Sequence, residues 1–251
     1  MSIGQGVDRA GRTIDRATLR LSATLLLAGQ LLYILVTQFH ADGDANNHPA
    51  IFVSYARSGD WKAVHVDQFL TIAVIVAGLV LLYYAVDLRV GAAAAAARVG
   101  VVLAGVALGL YAVLQAVDGV GNSQVDAAWA NAPAADKPAR FASAEAMRWL
   151  EWGVRSYHDY ALGLTLILLA LVAAVRRPAV MPQGIAWLMC LSGVAYLAQG
   201  WVVGAQGFSS ANTTLILVAW ALSLAWMIWL AIDTRRRRPD GEPDRTPRPG
   251  G

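Results

Sequence analysis

The chain alternates between six long apolar runs and shorter polar connections. The runs cover Leu19–Phe39, Phe69–Val86, Val99–Val117, Tyr160–Val175, Ile185–Val203 and Leu215–Ile232. Each run has about 16–21 residues, close to the ~20 that a helix needs to cross the ~30 Å hydrocarbon layer of a bilayer. The runs are apolar on every face, whereas a surface helix of a soluble protein keeps one polar face. The pattern therefore predicts an all-α membrane protein with six transmembrane helices in a bundle.

Composition supports this fold class and excludes some functions. The chain is 57% hydrophobic and only 15% charged, which is too apolar for an ordinary soluble domain of 251 residues. Its net charge of +3 comes from arginines that flank the apolar runs, so we expect contact with the lipid bilayer and not with nucleic acid. Cys190 is the only cysteine, which excludes an internal disulfide and a site built of several thiolates.

The basic residues predict the orientation of the bundle. Fourteen of the twenty lie on one side of the membrane if the runs cross it in alternation: Arg9, Arg12, Arg16, Arg20, Arg89, Arg98, Arg176, Arg177, Arg235, Arg236, Arg237, Arg238, Arg245 and Arg248. Positively charged connections stay in the cytoplasm. We therefore expect a protein of the bacterial cytoplasmic membrane with both termini cytoplasmic. The predicted organisation is a cytoplasmic segment 1–18, a six-helix domain 19–233 and a disordered basic tail 234–251.

The two long connections, predicted to face outward, carry short helical segments. In the first, Ile51, Phe52 and Tyr55 follow helical spacing, and Trp61 is expected at the membrane interface. In the third connection, we expect a helix that begins near Pro138 and continues into the fourth span without a break. Glu151 and Arg155 are spaced to pair on that helix.

Polar residues that could form a site gather at the outward ends of the spans, where all four histidines lie. We expect His65 and His158 to face the bundle interior, together with Gln115, Asp118 and Glu151, because an imidazole turned toward lipid would lack partners. Three interpretations stay open: polar residues at headgroup depth, a divalent metal site, and a pocket for an organic ligand. The sequence identifies no catalytic residue, no metal-ligand motif and no cofactor.

The middle of each apolar run contains no Asp, Glu, Lys, Arg or His, which argues against an ion-coupled transporter. The third run contains Gly105-x-x-x-Gly109, a spacing that allows close approach of another helix. We expect this pair to pack within the chain, and a homo-oligomer stays an open alternative.

Three stretches, NNHPAIFVSYARSGDWKAVHVDQF, EAMRWLEWG and YLAQGWVVG, resemble a family of uncharacterised bacterial multi-pass membrane proteins, a domain of unknown function. The resemblance spans roughly residues 40–212. It implies a six-helix architecture in a bacterial membrane. It implies no substrate, cofactor or catalytic residue.

These observations favour a non-enzymatic integral membrane protein of unknown molecular function, with an outward-facing polar pocket for a small molecule of unidentified kind or with a scaffolding role. The first alternative is a membrane-embedded enzyme, dependent on a metal, haem or quinone, that uses outward histidines and carboxylates. The second is a permease for a neutral solute. The sequence leaves the enzyme question undecided and favours the non-enzymatic interpretation.

Overall fold

The computed structural model describes residues 6–7, 13–14, 16–41, 43–86, 91–175 and 181–236. Two short strands, β1 (Gly6–Val7) and β2 (Thr13–Ile14), pair antiparallel. The helices are α1 (Arg16–Thr37), α2 (His48–Arg57), α3 (Trp61–Ala85), α4 (Ala92–Ala116), α5 (Ser123–Ala130), α6 (Lys137–Val175), α7 (Gln183–Gln206) and α8 (Ser210–Arg236), with a π-helical segment, Val117–Asn122, between α4 and α5.

Six of these helices, α1, α3, α4, α6, α7 and α8, are long and apolar enough to cross a membrane. They pack side by side as a closed ring in the order α1, α3, α4, α6, α7 and α8, which then returns to α1. The predicted all-α membrane fold is therefore confirmed. Nine of the fourteen arginines that predict the orientation lie outside the described residues, so the orientation stays a prediction.

The ends of the predicted domains fall partly outside the described residues. Helix α8 continues to Arg236, so the first residues of the predicted tail 234–251 are helical. Residues 237–251 and most of the predicted segment 1–18 lie outside the described part of the chain.

Small residues and hydrogen bonds hold the bundle together. Helices α6 and α7 approach closely where Gly163 faces Gly193, since a Cβ on either glycine would lie 2.6 Å from the carbonyl oxygen of the other. The Tyr83 hydroxyl donates to the Thr165 carbonyl at 2.6 Å and thereby joins α3 to α6. Such contacts matter in a membrane bundle because lipid is as apolar as the helix surface, so apolar burial alone does not drive association.

One end of the bundle, which we call the capped end, is covered by α2, the π-helical segment and α5. Helix α2 begins at His48, where the Asn47 side chain accepts a hydrogen bond from the Ala50 amide. A small apolar core lies beneath these elements and contains Ile51, Phe52, Tyr55, Trp61 and Ala144. The predicted short helices of the long connections are thus present.

Helix α6 is 39 residues long and runs from the capped end through the bundle. It begins at Lys137, one residue before Pro138, a position where the missing proline amide costs no helical hydrogen bond. The expected helix that continues into the fourth span without a break is confirmed.

The Gly105-x-x-x-Gly109 spacing does not have the role expected from the sequence. A Cβ on either glycine would meet nothing within 4 Å among the described residues. The prediction that this pair packs against another helix of the same chain is therefore wrong.

Candidate functional site

A cavity of about 470 Å³ opens at the capped end of the bundle. Its walls come from α1, α2, α3, α4, α6 and α8, from the π-helical segment and from the connections after α1 and α7. Polar and aromatic side chains dominate the lining, among them Tyr33, Thr37, His40, Tyr55, Gln68, Tyr111, Gln115, Asp118, Arg148, Glu151, Arg155, Asn212 and Trp220. The volume lies within the range of ~300–1,000 Å³ typical of pockets for small molecules.

Three of the five predicted site residues, Gln115, Asp118 and Glu151, line this cavity. His65 lies behind Asp118, only 2% exposed, with its Nε2 atom 3.0 Å from Asp118 Oδ2. The His65 Nδ1–H donates to the Trp61 carbonyl at 2.6 Å, which leaves Nε2 for the carboxylate. Both predicted histidines face the bundle interior.

His158 is buried elsewhere in the bundle and does not line the cavity. Its Nδ1–H donates to the Ala107 carbonyl at 2.9 Å, and its ring packs against Tyr111. The Nε2 atom lies 3.9 Å from Asp159 Oδ1. The structure therefore brings His65 together with Gln115, Asp118 and Glu151, and places His158 apart from them.

Arg148 is a buried arginine in the lining of the cavity. The Arg148 Nη1 donates to Glu151 Oε2 at 2.6 Å, and Nη2 donates to the Ala45 carbonyl at 3.1 Å. The guanidinium also lies 5.4 Å from the Tyr55 ring centre and 4.8 Å from that of Phe208. These contacts hold a full positive charge in a position where only 1% of the residue is exposed.

A second ion pair lies deeper in the bundle. Arg155 Nε donates to Asp159 Oδ2 at 3.1 Å, and the Asp159 side chain is fully buried. The expected pairing of Glu151 with Arg155 is replaced by the pairs Arg148–Glu151 and Arg155–Asp159. Asp159 follows Glu151 by eight positions, about 12 Å along the helix. Charged side chains therefore lie deeper in the bundle than the span ends, where the sequence predicted the polar residues to gather.

The π-helical segment presents Asp118 to the cavity. Its carboxylate Oδ1 accepts from Asn122 Nδ2 at 3.1 Å, and the same amide nitrogen donates to Glu151 Oε2 at 2.6 Å. The Trp61 indole donates to the Asp118 carbonyl at 2.8 Å. Trp61 was expected at the membrane interface, but it is only 2% exposed and helps to hold this segment.

His40 belongs to the site. The sequence placed it with the other histidines at the outward ends of the spans, but it was not among the five predicted site residues. Its ring lies 5.3 Å from the His65 ring, measured between centres, and it lines the cavity. Burial lowers the pKa of the His40 imidazole, an effect that the Asp118 carboxylate opposes and the nearby His65 ring reinforces. His40 is therefore neutral near pH 7, with a lone pair on one ring nitrogen. Burial also raises the pKa of the Tyr55 phenol, which stays protonated.

Three polar atoms of cavity-lining residues are buried without a hydrogen-bond partner among the described residues. They are Gln115 Oε1, Arg148 Nε and Asn212 Oδ1. Buried polar groups in proteins are hydrogen-bonded in the great majority of cases, so such a group requires a partner from water or a ligand. The residues that carry these atoms line one cavity, whose volume and polar lining are those of a pocket for a small polar molecule.

No protein-family model, curated protein or solved structure matches the chain. Arguments about its function therefore depend on the geometry of the site itself.

Proposed function

We propose that this chain is an integral protein of the bacterial cytoplasmic membrane that binds a small polar molecule in the cavity at its capped end, with that end facing outward. The observation that supports this most strongly is the cavity of about 470 Å³ with its lining of polar and aromatic side chains, among them Gln115, Arg148 and Asn212. The resemblance of the sequence to a bacterial membrane family is consistent with the proposed location.

The charges of the lining narrow the class of ligand. Five charged side chains line the cavity: Arg148, Arg155, Asp44, Asp118 and Glu151. Both arginines are paired, Arg148 with Glu151 and Arg155 with Asp159. The carboxylates would repel an anionic ligand and the arginines would repel a cationic one. A neutral or zwitterionic molecule avoids both effects. The rings of Tyr55, Tyr111 and Trp220 offer flat apolar surface. The proposed ligand is a neutral or zwitterionic molecule of amino-acid to nucleoside size.

A permease for a neutral solute, one of the alternatives from the sequence, has less support. The cavity reaches Trp220, ten positions and about 15 Å into α8, and no residue from the remainder of that helix lines it. A solute path would have to continue to the opposite end of the bundle. The alternative of a metal-dependent enzyme is supported by His40, His65 and Asp118, which lie together at one wall.

A thermal-shift experiment on the detergent-purified full chain tests the proposal. The panel consists of amino acids, small sugars and nucleosides at millimolar concentration. We expect at least one class to raise the melting midpoint of the wild-type protein and to lose that effect in Gln115→Ala. The matched control is Gln38→Ala, because Gln38 is exposed, lies outside the cavity lining and donates from its side chain to the Ile34 carbonyl within its own turn.

The control variant should keep the full shift. If no compound raises the midpoint of the wild-type protein, the proposal is wrong for these classes of ligand. An equal shift in wild type and Gln115→Ala would show that the ligand binds somewhere other than this cavity.

A further inference from the structure

Two histidines and one aspartate converge at the wall of the cavity. His40 follows α1, His65 lies in the first turns of α3, and Asp118 lies in the π-helical segment. One possible ligand atom from each residue lies within 4.8 Å of the other two. The three side chains come from separate parts of the chain, so the fold and not closeness in sequence brings them together.

Hydrogen bonds from neighbouring groups orient each of the three side chains. Each imidazole has its Nδ1 beside a backbone carbonyl: His40 beside that of Ala41 at 3.2 Å, and His65 beside that of Trp61 at 2.6 Å. A carbonyl only accepts, so Nδ1 carries the proton and Nε2 keeps its lone pair in the neutral ring. Asn122 holds the Asp118 carboxylate through Oδ1, which leaves Oδ2 directed at His65.

Histidines that bind metal ions usually donate their second ring N–H to a carbonyl or carboxylate, which fixes the tautomer and raises the basicity of the ligating nitrogen. The two histidines here have that arrangement, and the carboxylate has a side-chain donor of its own. Two nitrogen ligands and one oxygen ligand favour zinc or another first-row transition ion over magnesium or calcium, which prefer oxygen alone.

We propose that His40, His65 and Asp118 bind a divalent transition-metal ion of the zinc class. The distance of 3.0 Å between His65 Nε2 and Asp118 Oδ2 matches this geometry. Two ligands that are each about 2.1 Å from one ion lie roughly 3.0–3.4 Å apart at angles of 90–109°. His40 completes the set by a small movement toward the pair, which its position after the end of α1 permits.

The ion would also be accessible from the cavity. His40 and Asp118 line the cavity, whereas His65 approaches from behind. Three protein ligands leave at least one coordination position for water or another molecule, as in catalytic zinc sites. If the cavity binds a polar molecule as proposed above, that molecule could coordinate the ion directly. This last step depends on the proposed function, but metal binding does not.

The competing explanation is an imidazolium–carboxylate pair between His65 and Asp118 without any ion. A titration with Zn²⁺ alone distinguishes the two. The detergent-purified full chain is stripped with a chelator, and zinc affinity and stoichiometry are measured by competition with a fluorescent indicator. We expect one zinc ion per chain in the wild-type protein.

Substitutions locate the ion. His40→Gln should weaken zinc binding at least about tenfold, and because His40 lies in a connection, the variant should retain the fold. Asp118→Asn is a second variant, of unchanged shape, with the same expected effect. The matched control is His48→Gln, since His48 pairs with Glu145 at the same end of the bundle but lies outside the cluster.

The control should bind zinc as the wild type does. Wild-type protein with no stoichiometric zinc would overturn the proposal, as would equal weakening in His48→Gln and His40→Gln. The titration uses zinc alone, so a negative result contradicts only the metal site. The proposal of a polar ligand is tested separately by the thermal-shift experiment.

Discussion

The contact between Gly119 and His65 allows a direct test of the site's packing. A Cβ at position 119 would lie 2.6 Å from His65 Cβ and 2.9 Å from Cγ, whereas ordinary van der Waals contacts lie at 3.4–4 Å. The methyl group in Gly119→Ala would therefore push the imidazole away from Asp118 or displace the π-helical segment. Overpacking of this kind costs about 1–3 kcal/mol.

The matched control is Gly109→Ala in the preceding helix. Its Cβ would meet nothing within 4 Å in the part of the chain that the structure describes. The expected effect is therefore only the higher helix propensity of alanine, which stabilises by up to about 1 kcal/mol. The apparent melting midpoint in one detergent, followed by tryptophan fluorescence, compares the two variants. For a chain of this size each kcal/mol corresponds to about 2–4 °C.

We expect Gly119→Ala to melt below the wild type and Gly109→Ala to melt at or above it. The reasoning would be refuted by a Gly119→Ala protein as stable as Gly109→Ala. That result would mean that α3 and the π-helical segment can separate without cost at this point, so the described close approach does not fix the position of His65.

Two further predictions concern topology and the buried ion pair. Reporter fusions after Asp233 and within residues 122–136 should report opposite sides of the membrane, and a tail fusion active outside the cell membrane would contradict the expected orientation. Glu151→Ala should destabilise the protein by about 3–5 kcal/mol because it leaves the Arg148 charge buried and unpaired. Glu145→Ala, which removes a partly exposed partner of a histidine, should cost less than about 1 kcal/mol in the same melting assay.

Membrane spans could be predicted from the sequence because their physical cause is local. A run of about 20 apolar residues satisfies its backbone hydrogen bonds only as a helix in lipid, so each span can be read without knowledge of its neighbours. The long helix α6 was predictable for a similar reason, since Pro138 marks a start and no further proline interrupts the sequence up to Val175.

The candidate site was only partly predictable because it depends on contacts between distant segments. Asp118 and Glu151 could be selected as polar residues near span ends. Glu151 pairs with Arg148 at a spacing of three, whereas the sequence equally allowed a pair with Arg155. His40 enters the site through the fold of a connection, which has no periodic signal. His158, like His65, stands near the outward end of a predicted span, so the sequence does not distinguish the two. In the structure the His158 ring bonds to a backbone carbonyl of α4 and lies away from the cavity.

Trp61 illustrates a further limit of sequence reasoning. Tryptophan is common at membrane interfaces, so its position before the second span predicted contact with headgroups. The structure instead uses its indole N–H as a donor to the Asp118 carbonyl. The π-helical segment that exposes this carbonyl gave no recognisable signal in the sequence, since VDGVGN resembles an ordinary polar loop.

The wide turn at Val117–Asn122 also bears on how such a site could arise and disappear during evolution. A π-helical turn spans i to i+5 and so holds about one more residue than an α-helical turn, while the helices on either side keep nearly the same phase. Loss of one residue from this stretch would therefore leave the six-helix ring intact and displace mainly Asp118, Gly119 and Asn122. Within one architecture, the arrangement around Asp118 can be gained or lost by a change in chain length of a single residue, without substitution of any residue in the bundle.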